Sequence, residues 1–172
     1  MNDVYAHNSV PRSDAVYAGV MAGLIAGLAM AMVSMMMAML TGEGFWAPVK
    51  KISVTLLGRS AVQNVGFEFM PVMVGMMIHF VTAIAFGIIF ALLGGRQSYG
   101  SAVASGIGYG LAVWLVMQFI VLPFVNPVMA DMPPLQFAIL HMIFGGTLGS
   151  YPAFLPSIGG ADVRTMRPPR AS

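Results

Sequence analysis

Four long stretches of this chain carry no charge. There is none between Glu68 and Arg96, none from Gln97 to Ala130, and none in residues 15–40 or 135–155. A hydrocarbon layer of about 30 Å is crossed by about 20 apolar residues in a helix. Inside it no water serves the backbone, so only helices and closed barrels survive there. Runs of this length and continuity select helices. The chain is read as an all-α bundle of four transmembrane helices, with spans at about 15–40, 70–93, 101–125 and 135–155.

Composition agrees. Hydrophobic residues make up 58% of the 172 and charged residues only 8%, against about 25% in soluble domains. The first run is far longer than the roughly 7–15 residues of a signal peptide core, so it is read as a retained helix. Residues 1–14 and 156–172 read as polar tails around a single membrane domain, 15–155. A net charge of +2, without a basic run interleaved with aromatics, gives no nucleic-acid footprint. The absence of cysteine excludes disulfides, thiolate metal sites and iron–sulfur clusters.

The longest connector, between spans 1 and 2, has an element of its own. Pro48 suits a helix start, and Val49, Ile52 and Leu56 share one helical face. Lys50 and Lys51 fall off that face. Segment 45–58 is therefore read as an interfacial amphipathic helix, with Trp46 as its headgroup anchor. Four spans place both termini on one side. That side holds Arg12, Arg96, Arg164, Arg167 and Arg170, against Lys50, Lys51 and Arg59 on the other. The positive-inside rule then gives N-in and C-in.

Two histidines lie inside apolar spans in matching settings. Met70-Pro71 precedes His79, and Met132-Pro133 precedes His141, by the same eight residues from the proline. Gly87 answers Gly149 and Ala91 answers Ala153 at one offset. Spans 1 and 3 share a second likeness, Gly23-Leu24 with Gly27 against Gly106-Ile107 with Gly110. Together these describe a duplicated helical hairpin related by an axis along the membrane normal. Glycines every fourth residue allow helix backbones to approach closely.

Ionisable residues in a bilayer are costly and mark functional sites. Bis-histidine ligation of a b-type haem needs one imidazole from each of two facing helices at one depth, and His79 and His141 are the candidates for it. Ala83 and Gly145, four residues on, would leave room for the ring. Copper is the other candidate ligand, with Met76 and Met142 as thioether partners. The 17 methionines otherwise read as core and lipid packing. Trp114 and Gln118, one turn apart, could face a cofactor or a quinone. With only two histidines in the spans and His7 in the tail, a three-histidine zinc site is not expected. No serine–histidine arrangement, carboxylate pair or phosphate loop appears, which weighs against an enzyme.

The segments "IHFVTAIAFGIIFALL", "GIGYGLAVWLVMQFIVLPFVNP" and "LHMIFGGTLGSYPAF" resemble a broad group of small four-helix bacterial inner-membrane proteins, in the YagU-like neighbourhood, with a domain of unknown function. The resemblance implies the fold and the bacterial inner membrane, and no activity. The expectation is a non-catalytic multi-pass protein, a subunit or accessory of a membrane complex or a homo-oligomer, whose His79–His141 pair holds haem b or copper. The alternative is a small channel or transporter for a neutral solute, with the histidines at its constriction.

Overall fold

A computed structural model describes residues 10–156; most of both polar tails, and His7, lie outside them. Helix α1 is Arg12–Leu40. It starts behind Pro11, carries Asp14 in its first turn, and ends where Thr41 returns its hydroxyl to the Met37 carbonyl. Helix α2, Ala47–Leu57, has Pro48 in its first turn and stops at Gly58, whose φ of 73° disfavours other residues. A 3-10 turn, Arg59–Val62, follows. Helix α3 is Phe69–Gly94.

Helix α4, Tyr99–Val116, continues through a π-helical turn, Met117–Val121, into the short α5, Leu122–Val125. Pro123 explains the wide turn. Its ring lacks an N–H and crowds the preceding carbonyls, and the Leu122 N–H reaches back to Met117 instead. Asn126 then caps α6, Pro127–Ala130. Helix α7 is Pro134–Leu148, extended by the 3-10 turn Tyr151–Phe154. Four helical stretches are long and apolar enough to cross a membrane: Arg12–Leu40, Phe69–Gly94, Tyr99–Val125 and Pro134–Phe154. They fall within a few residues of the boundaries read from hydropathy. The chain is a small multi-pass membrane protein.

Small residues decide the packing. The buried face of α1 is Ala15, Ala18, Gly19, Ala22, Gly23, Ala26, Gly27, Ala31, Met35 and Ala38. Its Leu24, Ile25, Leu28, Met32 and Met36 point outward, where lipid receives them. In a bilayer helices gain little from hiding large apolar side chains, and close van der Waals contact draws them together instead. At Gly19 an added Cβ would lie 2.6 Å from Cα of Ile88, and at Gly27 2.8 Å from Cβ of Ala83. The α4–α7 seam is tighter still. A Cβ at Gly106 would strike the Gly145 carbonyl, and one at Gly145 the Gly106 carbonyl. Gly110 abuts the carbonyl of His141 in the same way.

Helices α1 and α3 form one close pair and α4 and α7 the other; α1 joins them by packing along α7. A two-fold arrangement of the pairs would match that α1–α7 contact with an α3–α4 contact. Instead α3 and α4 meet at little more than one point. There the Tyr109 hydroxyl donates to the Phe86 carbonyl at 3.0 Å, and the rings of Phe90 and Tyr109 meet at a tilt, centroids 5.2 Å apart.

Helix α2 is a roof over the end of the bundle that holds the α1–α3 connector. Its Val49 carbonyl packs where Gly75 of α3 leaves no side chain. Lys50 corrects the sequence reading. It is not a headgroup-facing lysine: it is 2% exposed, ion-paired with Glu68 and donating to the Asn64 carbonyl at 2.7 Å. Lys51 does reach outward, pairing with Glu43 at 2.6 Å. On the other flank Asn126 donates to the Lys51 carbonyl at 2.8 Å and to the Thr55 hydroxyl at 3.0 Å.

The seams make a clear demand. Gly106→Leu should cost at least the upper end of the roughly 1–3 kcal/mol typical of overpacking, because backbone rather than a flexible side chain is displaced. Gly108 meets nothing within 4 Å, so Gly108→Ala should stabilise α4 by about 0.5–1 kcal/mol. Melting followed by fluorescence-detected size exclusion compares both with wild type. Equal melting of Gly106→Leu and wild type would refute the seam.

Candidate functional site

Where α3 and α4 stand apart, the bundle holds a cavity of about 380 Å³. The roof is Pro48, Val49, Ile52 and Thr55 of α2 together with Asn126 and Met129. The two banks are Ile78, Thr82 and Phe86 on α3, and Val113, Met117 and Val121 on α4 and its π turn. Five of these six bank residues are only half-buried, as expected beside an opening between the helices. Phe86 and Phe144 line the deep end, just above the Tyr109–Phe86 contact. The wall is overwhelmingly apolar.

Both His79 and His141 line this cavity. The seams put them there. His79 lies opposite Gly27, where the α1–α3 seam is close: Nε2 donates to the Gly27 carbonyl at 2.9 Å. His141 is held by its own helix, Nδ1 donating to the Phe137 carbonyl one turn back at 2.9 Å. The Phe137 ring stands edge-on to the His141 ring at 4.4 Å. A carbonyl oxygen only accepts, so each bonded nitrogen carries the proton. In the neutral ring that leaves a lone pair on Nδ1 of His79 and on Nε2 of His141. Among the described residues, the polar side-chain atoms sealed in without a partner are Trp114 Nε1, Gln118 Oε1 and Ser150 Oγ. Neither free imidazole nitrogen is among them, and both rings line the cavity.

The other expected site residues are dispersed. Met76 packs beside Met35, Val49 and Val72 under α2, and Met142 is exposed on α7. Neither lines the cavity. The thioethers that do are Met30, Met117, Met129 and Met132. Nothing local in the sequence marked them. They share a wall because of helical phase, the π turn and the α6 connector. Trp114 and Gln118 also turn away. Gln118 donates to the Ala130 carbonyl at 2.8 Å, and Trp114 packs with Leu122 and Met132. Asn126, unnoticed in the sequence, is fully engaged: it caps α6 through Met129 N–H and bonds α2.

A b-type haem does not fit these residues. Its two propionates need cations or donors in an apolar site, and among the described residues no Lys or Arg lines the cavity. Gly145, expected to leave room for the ring, is used up in the seam against Gly106, and Ala83, though it lines the cavity, is pressed against Gly27. The lining does carry donor types that suit copper(I), two imidazole lone pairs and four thioethers spread around the cavity, and a backbone carbonyl holding the other nitrogen is the usual support of a ligating histidine. Among the described residues no cluster of three or more His, Cys, Asp or Glu could hold a metal. Searches against family models, curated proteins and solved structures find no match to this chain.

The ion pair that holds one flank of the roof can titrate. Hydrogen bonding from Lys50, then from Asn64, holds the Glu68 carboxyl below its ordinary 4.5. A depressed carboxylate stabilises the fold fully above 4.5 and loses that contribution as pH falls through its lower folded value. Protection of the α2 amides against hydrogen exchange, taken relative to their intrinsic rates, should therefore fall only below pH 4.5. In Glu68→Gln it should already be low at pH 7. Wild-type protection in that variant would remove the ion pair from the account of the roof.

Proposed function

We propose that this protein is a non-catalytic, multi-pass membrane protein that holds one small, largely apolar ligand beneath α2. The observation that carries the reading is the cavity of about 380 Å³ between α3 and α4 with two anchored imidazoles on its wall. Ligand sites are typically about 300–1,000 Å³, mostly apolar, with a few convergent polar groups. The half-buried banks favour entry from the bilayer. The Tyr109–Phe86 contact below favours holding a ligand over conducting a solute.

The setting follows the expectations from sequence: a bacterial inner membrane, both termini inside, and a role as accessory or subunit of a larger assembly. The two glycine seams, built from matching positions, support descent of both helix pairs from one hairpin.

Copper(I) is the second reading, favoured by Met30, Met117, Met129 and Met132 beside the histidines. The His79 Nδ1 and His141 Nε2 lone pairs, with thioethers, would hold it. The ion would supply electron transfer or be passed on as cargo.

Photolabelling with an alkyl diazirine separates cavity from lipid face within one sample. Labels on Phe86, Met117 and Phe144 report the cavity; labels on Leu24 and Leu28 report lipid. Thr82→Phe should lower cavity labelling several-fold and leave the lipid-face labels unchanged. Unchanged cavity labelling in that variant would sink the ligand reading. Competition for copper(I) with a chromophoric chelator, lost in His79→Ala/His141→Ala, is the corresponding check on the second.

A further inference from the structure

The polar groups of the cavity can be counted one by one. The Thr82 hydroxyl donates to the Ile78 carbonyl at 2.8 Å. The Asn126 amide is spent on α2 and its carbonyl on the Met129 N–H. The hydroxyls of Ser34 and Thr55, both lining residues, can donate or accept. Beside these two hydroxyls stands the free nitrogen of each imidazole. Both bonded nitrogens face carbonyls, Gly27 and Phe137, so neither ring can exchange its tautomer without losing that bond. A protonated ring would need a nearby anion in so apolar a wall, and no carboxylate is among the lining residues. The two histidines therefore present acceptors only.

We propose that the ligand is an apolar molecule with a hydroxyl head, an alcohol, phenol or hydroquinone, recognised because it donates to His79 Nδ1 and His141 Nε2. The inference rests on the ligand-holding reading above and specifies its chemistry. A head of carbonyl oxygens would face the two lone pairs with lone pairs of its own. It would also leave water-stripped acceptors unpaired on both sides, and a site built around a hydroxyl rejects an analogue lacking it for that reason. A purely hydrocarbon ligand would fill the volume and leave both imidazoles unsatisfied. The opening between α3 and α4 admits such a molecule sideways, tail in lipid and head against the histidines.

A hydroquinone and its own quinone test this directly. They match in shape and differ in whether the oxygens donate. Binding of a short-chain prenylated hydroquinone is measured anaerobically on the full chain in detergent, then that of the quinone, each corrected for partition into micelles. The expected result is hydroquinone binding at least tenfold tighter than quinone. His79→Phe and His141→Phe, which keep an aromatic of similar size, should each bring the ratio toward one. Equal binding of the pair by wild type would overturn the donor-head inference and leave the cavity reading intact. Binding of neither, with diazirine labelling of the cavity also absent, would overturn both. Tighter binding of copper(I) than of either, lost in both variants, would replace the hydroxyl head with a metal ion. The wild-type ratio decides the question even if a variant fails to fold.

Discussion

Backbone pressed against backbone is the contact on which the rest of this protein depends. Soluble bundles keep helices apart with layers of leucine and isoleucine. Here the seams are made by Gly19, Gly23, Gly27 and Gly87 on one side and Gly106, Gly110, Gly145 and Gly149 on the other. Large side chains gain nothing by hiding from lipid, so they face outward. The same glycines locate the histidines. Gly27 offers its carbonyl to His79, and Gly110 accommodates the backbone of His141. A side chain at either position would move an imidazole as well as a helix.

Close pairing also explains the empty volume. Two pairs of tightly seamed helices cannot mould themselves to each other everywhere. The pairs merge along α1 and α7, and on the opposite side α3 and α4 stay apart except at Tyr109 and Phe86. The π turn before Pro123 widens one bank further. The one-sided contact of the two pairs is thus the origin of the cavity, and the roof of α2 gives it an end.

Much of this was legible in the sequence. Uncharged runs gave four spans to within a few residues, Pro48 marked the start of α2, and matched depth brought His79 and His141 to one cavity. What stayed hidden depended on helical phase or on distant partners. Lys50 looked solvated because Glu68, its partner, lies 18 residues on. Asn126 looked like a loop residue because its bonds reach back 71 to 75 positions. Met142 directly follows His141 in sequence, and the turn of one residue around the helix was enough to remove it from the wall; Met76, nearly a turn before His79, is taken up by Met35, Val49 and Val72 instead. Ala83 and Gly145 were seen correctly as small; which neighbour needed the smallness was not readable.

The Asn126 bonds bear on how the chain is made. Helix α2 emerges from the ribosome early, together with α1, and its Lys50 can find Glu68 soon afterwards. The amide that holds its other flank is not synthesised until roughly two further spans have been threaded into the bilayer. Through that interval α2 is tethered on one side only, and the space beneath it stays accessible to whatever the surrounding lipid contains. A ligand the size of the cavity can be enclosed during synthesis, as the last segments arrive, without ever passing a finished doorway.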